Sequence, residues 1–159
     1  MERLFAPWRM EYVKTADEKN EGCIFCLKPR EEDRRSNLIL HCDDLTIVML
    51  NKYPYNSGHL MVIPRSHVAS LAALPGAEFD ALFRMTNRAI EVLRGVYRPD
   101  GFNMGMNFGR IAGAGIDEHI HVHIVPRWGG DTSFMPVLGE TKVVSEHLLA
   151  TYESLVGKF

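Results

Sequence analysis

A chain of 159 residues, 46% hydrophobic and 24% charged, fits one soluble globular domain with a core of its own. Its formal net charge of −2 argues against nucleic acid or an acidic membrane surface as partner, so any anionic ligand must be held by local groups. No stretch is apolar for long enough to be a signal peptide or a membrane span, and three cysteines without a secretory signal point to reduced thiols in the cytoplasm.

Residues 1–22 read as a leading arm, apolar from Leu4 to Val13 and expected to pack on the domain or on a second subunit. Residues 23–144 read as the main domain, and residues 145–159 as a closing helix packed on it. Cys23-Ile24-Phe25-Cys26 has the spacing of half a zinc site, which two histidines from elsewhere in the fold would complete. A redox pair and two plain buried cysteines are the other readings, the redox one weakened because no βαβ pattern follows. Cys42 has no partner in sequence and reads as a packing residue.

Strands are expected at Leu38–His41 and Leu45–Leu50 around an Asp43-Asp44 turn, then at His59–Pro64, where proline ends the run. Ala77–Tyr97 is expected to be the one long helix, with Phe79, Leu82, Phe83, Thr86, Ile90, Leu93 and Tyr97 as its buried stripe. Arg98-Pro99-Asp100-Gly101 stops it. Phe102, Met104 and Met106 alternate with polar residues as a strand, and the glycine-rich loop Gly109–Gly115 follows. Ser145 is the expected N-cap of the closing helix, which presents Leu148, Tyr152 and Leu155. Strands joined by turns around one long helix argue for an α+β fold with an antiparallel sheet.

The densest chemistry lies in His119-Ile120-His121-Val122-His123-Ile124-Val125-Pro126. Read as a strand, it sends the three histidines to one face and Ile120, Val122 and Ile124 to the other, with imidazoles ~7 Å apart along one line. A helix would scatter them. A neutral imidazole can attack phosphorus and carry the transferred group, and the charge developing on phosphoryl oxygens needs fixed donors. The loop Asn107–Gly115 directly precedes the row; its glycines allow backbone N–H groups near a phosphate, and Arg110 offers charge.

His119–Val125 resembles the His-φ-His-φ-His-φ-φ signature of the histidine triad family of nucleotide hydrolases and transferases. Asn51, Gly58-His59 and Val62-Ile63-Pro64 stand where that family has their counterparts. Ala6–Met10, Gly115–His119 and Pro126–Asp131 look like its bacterial diadenosine tetraphosphate phosphorylase-like or hydrolase-like branch. The resemblance implies five antiparallel strands with one long and one short helix, dimerising into a continuous sheet. It implies cleavage at the α-phosphate of a dinucleoside polyphosphate through a nucleotidyl-histidine on His121. His123 would then lie at the leaving group, with His59 as its relay partner. Asn51 matches the ribose-binding position, and Asn107 with Gly113, Ala114 and Gly115 the phosphate-binding segment. Cys23, Cys26, His67 and His119 match the ligands of a structural zinc in relatives that carry one. The partner implied is a small nucleotide, with a homodimer and neither nucleic acid nor membrane. Nucleoside phosphoramidate cleavage and a zinc-stabilised module that binds nucleotide without turnover are the alternatives. One departure stands out: where relatives carry Gln or Ser before the histidine strand, this chain has Gly115-Ile116-Asp117-Glu118.

Overall fold

The computed structural model describes residues 22–30, 32–131 and 146–159. The expectations for the arm over residues 1–21, for residues 132–144 and for Ser145 lie outside those residues. In chain order the elements are α1 (Ile24–Leu27), β1 (Ile39–Cys42), β2 (Thr46–Leu50), β3 (Leu60–Pro64), α2 (Gly76–Tyr97), β4 (Gly101–Gly105), β5 (Val122–Arg127) and α3 (Leu148–Leu155). The strands form one sheet in the order β1-β2-β3-β5-β4, and every neighbouring pair is antiparallel.

Local chemistry explains the joints. Asp43 closes the β1–β2 turn by accepting the backbone N–H groups of Leu45 at 2.9 Å and Thr46 at 2.6 Å. Arg98 ends α2 in the left-handed region at φ 47°, and Pro99 cannot continue the helix. At α3 the cap is the His147 ring, which accepts the Leu149 N–H at 3.3 Å.

Strands β1, β2, β3 and β5 bury residues on both faces, unequally, whereas no residue of β4 is fully buried. Val48, Leu50, Leu60, Val62, Val122 and Ile124 form the main core with Leu82, Ala89 and Leu93 of α2 and Tyr152 and Leu155 of α3. On the opposite face Ile39, Ile47, Met49, Met61 and Ile63 make a smaller cluster capped by Phe25 of α1. The α2 stripe differs from the one expected. Leu82, Thr86, Ala89 and Leu93 face the sheet, whereas Phe79 and Phe83 are exposed and pack on each other at 5.0 Å between ring centroids. Burying Thr86 costs little because its hydroxyl donates to the Leu82 carbonyl one turn back, at 2.8 Å.

The histidine strand also starts later than expected, at Val122 instead of His119. β3 pairs with β5 as Leu60↔Ile124, Met61↔His123 and Val62↔Val122, a register that would go on to bring Ile63 opposite His121 and Pro64 opposite Ile120. Pro64 has no N–H to give the ladder. Its carbonyl accepts from the His119 ring at 2.9 Å, and Ile120 donates its N–H to Val68 at 2.8 Å. The first two histidines therefore sit in a segment held by side-chain and loop bonds.

Candidate active site and metal centre

The side-chain alternation of β5 survives its shortened ladder. Ile120, Val122 and Ile124 enter the main core, while His121 and His123 share the other face. Their rings stand 4.7 Å apart at 73°, closer than a straight row would place them, because they meet edge to face. His119 leaves the row and turns towards the cysteines. Phe25 wedges between His119 and His121, 5.5 Å from the first ring and 5.0 Å from the second.

Hydrogen bonds assign the ring protons. His121 Nδ1 lies 3.0 Å from the His119 carbonyl oxygen, which can only accept, so the Nδ1 carries the proton and Nε2 keeps its lone pair in the neutral ring. His59 accepts the Tyr55 N–H on Nδ1 at 3.0 Å, so its own proton sits on Nε2 and is donated to His123 Nδ1 at 3.0 Å. That places the His123 proton on Nε2. A chain of donors thus runs from the Tyr55 backbone through His59 to His123, beside a ring whose Nε2 is a base. Burial holds His119 and His121 below the usual histidine range, opposed by the carbonyl each one meets. Burial, assisted by the His121 charge, pulls His123 down to about 4. These three rings are therefore neutral at pH 7, the form in which an imidazole can act as a nucleophile.

The other expected ligand-binding residues occupy two places. Asn51 follows β2, donating to Met61 Sδ at 3.7 Å and accepting the Tyr53 N–H at 2.8 Å; Met61 is the β3 residue paired with His123. Asn107 ties the glycine loop by donating to the Gly113 carbonyl at 3.4 Å. Within that loop the N–H groups of Ala112, Gly113 and Ala114 close a tight turn onto Gly109 and Arg110, while Gly115 is outside it. Gly109 and Gly113 both need positive φ, 79° and 92°. The Arg110 guanidinium meets Asp117 at 3.3 Å, and Trp128 packs edge to face on Tyr97.

Cys23, Cys26, His67 and His119 bring one donor atom each to within 4.8 Å of all the others, a cluster able to hold a metal ion. Zn–S arms of about 2.3 Å and Zn–N arms of about 2.0–2.1 Å, set tetrahedrally, would hold sulfur and nitrogen about 3.6 Å apart. The observed separations are 3.4 Å from Cys23 Sγ to His119 Nδ1 and 3.6 Å from Cys26 Sγ to both His67 Nδ1 and His119 Nδ1. The donor set fits. Because His119 Nε2–H is spent on the Pro64 carbonyl, Nδ1 is left with the lone pair a metal needs. Burial raises the Cys23 thiol, against backbone hydrogen bonds from Cys26 and Phe25 that favour the thiolate.

Three contributors were invisible in the sequence pattern. Glu78, in the first turn of α2, accepts both the N–H and the hydroxyl of Ser66, at 2.8 and 2.5 Å, and so fixes the segment bearing His67. The Tyr55 ring stacks on His59 at 4.8 Å while its N–H sets the tautomer. Phe25 walls the site from a one-turn helix for which the sequence offered no periodicity. Each acts through an ordinary residue type, so only proximity reveals it.

Several known proteins are similar to this chain in sequence or in fold. A model of the HIT domain matches residues 32–130. The AP-4-A phosphorylase of Mycobacterium tuberculosis is 40% identical over 158 residues, covering 95% of this chain and 80% of that protein. The asymmetrical bis(5'-nucleosyl)-tetraphosphatase of Schizosaccharomyces pombe is 34% identical over 56% of this chain and 48% of its own length. Among solved structures, a Zn-bound histidine triad family protein from Mycobacterium smegmatis shares the fold at TM-score 0.66 and 24% identity, over 86% of this chain and 92% of that one.

Proposed function

The chain belongs to the histidine triad family, and from that premise we propose that it cleaves the α-phosphate linkage of dinucleoside polyphosphates, diadenosine tetraphosphate first among them. The observation that carries this reading is the pair of opposite tautomers: a lone pair on His121 Nε2 beside a proton on His123 Nε2. His121 Nε2 attacks the α-phosphorus, forming an N–P bond as the bond to the bridging oxygen breaks. The electron pair leaves with the distal phosphates. His123 Nε2–H hydrogen-bonds that oxygen; a terminal phosphate has a second pKa of about 6, so it departs without needing a full proton. The N-phosphorylated His121 ring keeps its Nδ1–H on the His119 carbonyl, and its positive charge makes it a good leaving group. Water or inorganic phosphate then attacks phosphorus, forming an O–P bond as the N–P bond breaks; the N–P electrons return to Nε2 and the proton of the attacking oxygen is released to solvent. Asn51 holds the ribose, and Asn107 with Gly113, Ala114 and Gly115 flank the phosphates.

Zinc is the metal we assign to Cys23, Cys26, His67 and His119; when bound it acts as a structural cross-link. The residue it would fix, His119, is the one whose carbonyl orients the nucleophile. A homodimer is supported by the exposed Phe79 and Phe83 on α2 and by β4 lying at an edge of the sheet. No described helix is long and apolar enough to cross a membrane, and thiolate ligands suit the reducing cytoplasm we assign.

The test is turnover of diadenosine tetraphosphate with and without phosphate. Water as acceptor yields AMP and ATP, and phosphate as acceptor yields ADP and ATP. Radiolabelled substrate should leave acid-labile label on the protein, and His121→Asn should abolish both label and turnover while nucleotide binding persists. A fully active His121→Asn protein would refute the mechanism; binding without any turnover would favour the non-catalytic module.

A further inference from the structure

Asp131 has no part in the chemistry above, yet its carboxylate is the most heavily bonded one near the site. It accepts Arg127 Nε at 2.6 Å and Nη2 at 2.8 Å, Asn56 Nδ2 at 2.9 Å and the Trp128 N–H at 3.1 Å. Its side chain is only 10% exposed. Arg127 reaches across to β4 through Nη1, which donates to Asn103 at 2.6 Å. Asn56 also donates to the Pro126 carbonyl at 3.1 Å, so its amide is clamped between the end of β5 and the carboxylate.

Asn56 opens the turn that carries His59. Its own carbonyl accepts the His59 N–H at 3.2 Å, and the preceding residue, Tyr55, supplies the N–H that sets the His59 tautomer. Immediately before His59, Gly58 lies so close to β5 that an added Cβ would stand 3.2 Å from Pro126 Cγ. The turn bearing His59 is thus pinned to the strand bearing His123 at one polar and one apolar point. The imidazole pair those points hold is 3.0 Å from nitrogen to nitrogen. A simple surface ion pair would serve Arg127 alone; here the carboxylate binds three separate groups across β5 and the turn.

We propose that Asp131 is a positioning residue for the reaction, acting through Asn56 to hold His59 in hydrogen-bonding register with His123. This rests on the catalytic reading above only for its kinetic consequence. Losing the strut lets the turn drift, His59 Nε2–H leaves His123 Nδ1, and the His123 tautomer is no longer dictated. Displacements of about 1 Å at such a contact cost up to about 100-fold in rate.

The test uses the whole chain and two variants. Asn56→Ala removes the strut and leaves the Arg127–Asp131 pair in place; Asp131→Ala removes both. Each should lower kcat about 10- to 100-fold with KM for diadenosine tetraphosphate changed less than about twofold, and the double variant should be no worse than the poorer single one. In a His59→Ala background, Asn56→Ala should cost nothing further. Ring-nitrogen NMR of labelled histidines should show His59 and His123 as single tautomers in the wild type and as mixtures in Asn56→Ala. The proposal is overturned if Asn56→Ala keeps full kcat, if its effect multiplies with that of His59→Ala, or if the ring-nitrogen shifts are unchanged. A wild-type protein that turns over no dinucleotide would refute the catalytic reading, and the NMR comparison would still decide whether the strut sets the tautomer.

Discussion

Gly58→Ala tests how tightly the relay turn is pressed on the histidine strand. Gly58 adopts φ +76°, where an L side chain costs about 1–2 kcal/mol. The new methyl would also stand 3.2 Å from Pro126 Cγ and 3.3 Å from Leu93 Cδ2. Leu93 is wholly buried and Pro126 belongs to the sheet, so neither can retreat cheaply, and overpacking of this kind costs about 1–3 kcal/mol. The two costs together centre on about 3.5 kcal/mol, or a fall in Tm of about 7–14 °C for a domain of this size. Gly95 is the control: it sits in the exposed interior of the same α2, with nothing within 4 Å of an added Cβ. Gly95→Ala should raise stability by up to about 1 kcal/mol, from helix propensity alone. The assay is urea unfolding followed by circular dichroism, with Tm by calorimetry. If Gly58→Ala unfolds within about 0.5 kcal/mol of wild type, the turn is not packed as described and the argument from close approach fails.

The remaining expectations concern pH and metal. His123 has a folded pKa of about 4 against an unfolded value of about 6.5, so between those limits the unfolded chain binds more protons and stability rises with pH. Its contribution, up to about 3 kcal/mol, should be complete above about pH 6.5 and lost as pH falls towards 4; His123→Gln should flatten that part of a stability–pH profile, and an unchanged slope would contradict it. Metal analysis should find one zinc per chain, and chelation should lower Tm and activity together, since His119 serves both centres; a metal-free protein with unchanged Tm would remove the metal assignment. Glu78→Gln offers one carbonyl oxygen where Ser66 now uses two carboxylate oxygens, and should speed metal release to a chromogenic chelator about 10-fold. Release at the wild-type rate would mean that Glu78 does not hold the His67 segment.

Much is legible in the sequence, because it rests on short-range periodicity. Alternation of period two separates His121 and His123 from Val122 and Ile124 whatever the rest of the chain does, and Pro64, Pro99 and the Asp43 turn punctuate the chain by their own covalent chemistry. The five strands and the long helix follow from such patterns. The same local logic failed where a partner from far along the chain decided the matter. Pro64 withholds an N–H from the ladder, so His119 and His121 lie before β5 instead of within it. The helical stripe was read too far to one side, since periodicity locates an apolar arc but not which part of it meets the sheet; Phe79 and Phe83 fell outside the core, and Ala89 lies in it.

What the sequence determined by itself is the set of chemical groups and the face each presents along its own element. What only the tertiary structure decided is which nitrogen of each ring holds the proton. That choice depends on a carbonyl of His119, an N–H of Tyr55 and a carbonyl of Pro64, backbone groups that every residue possesses and that no residue type announces. Folding selects among them by position alone. In this protein that selection leaves a lone pair on Nε2 of His121 and on Nδ1 of His119, and the proton on Nε2 of His123, among chemically identical side chains.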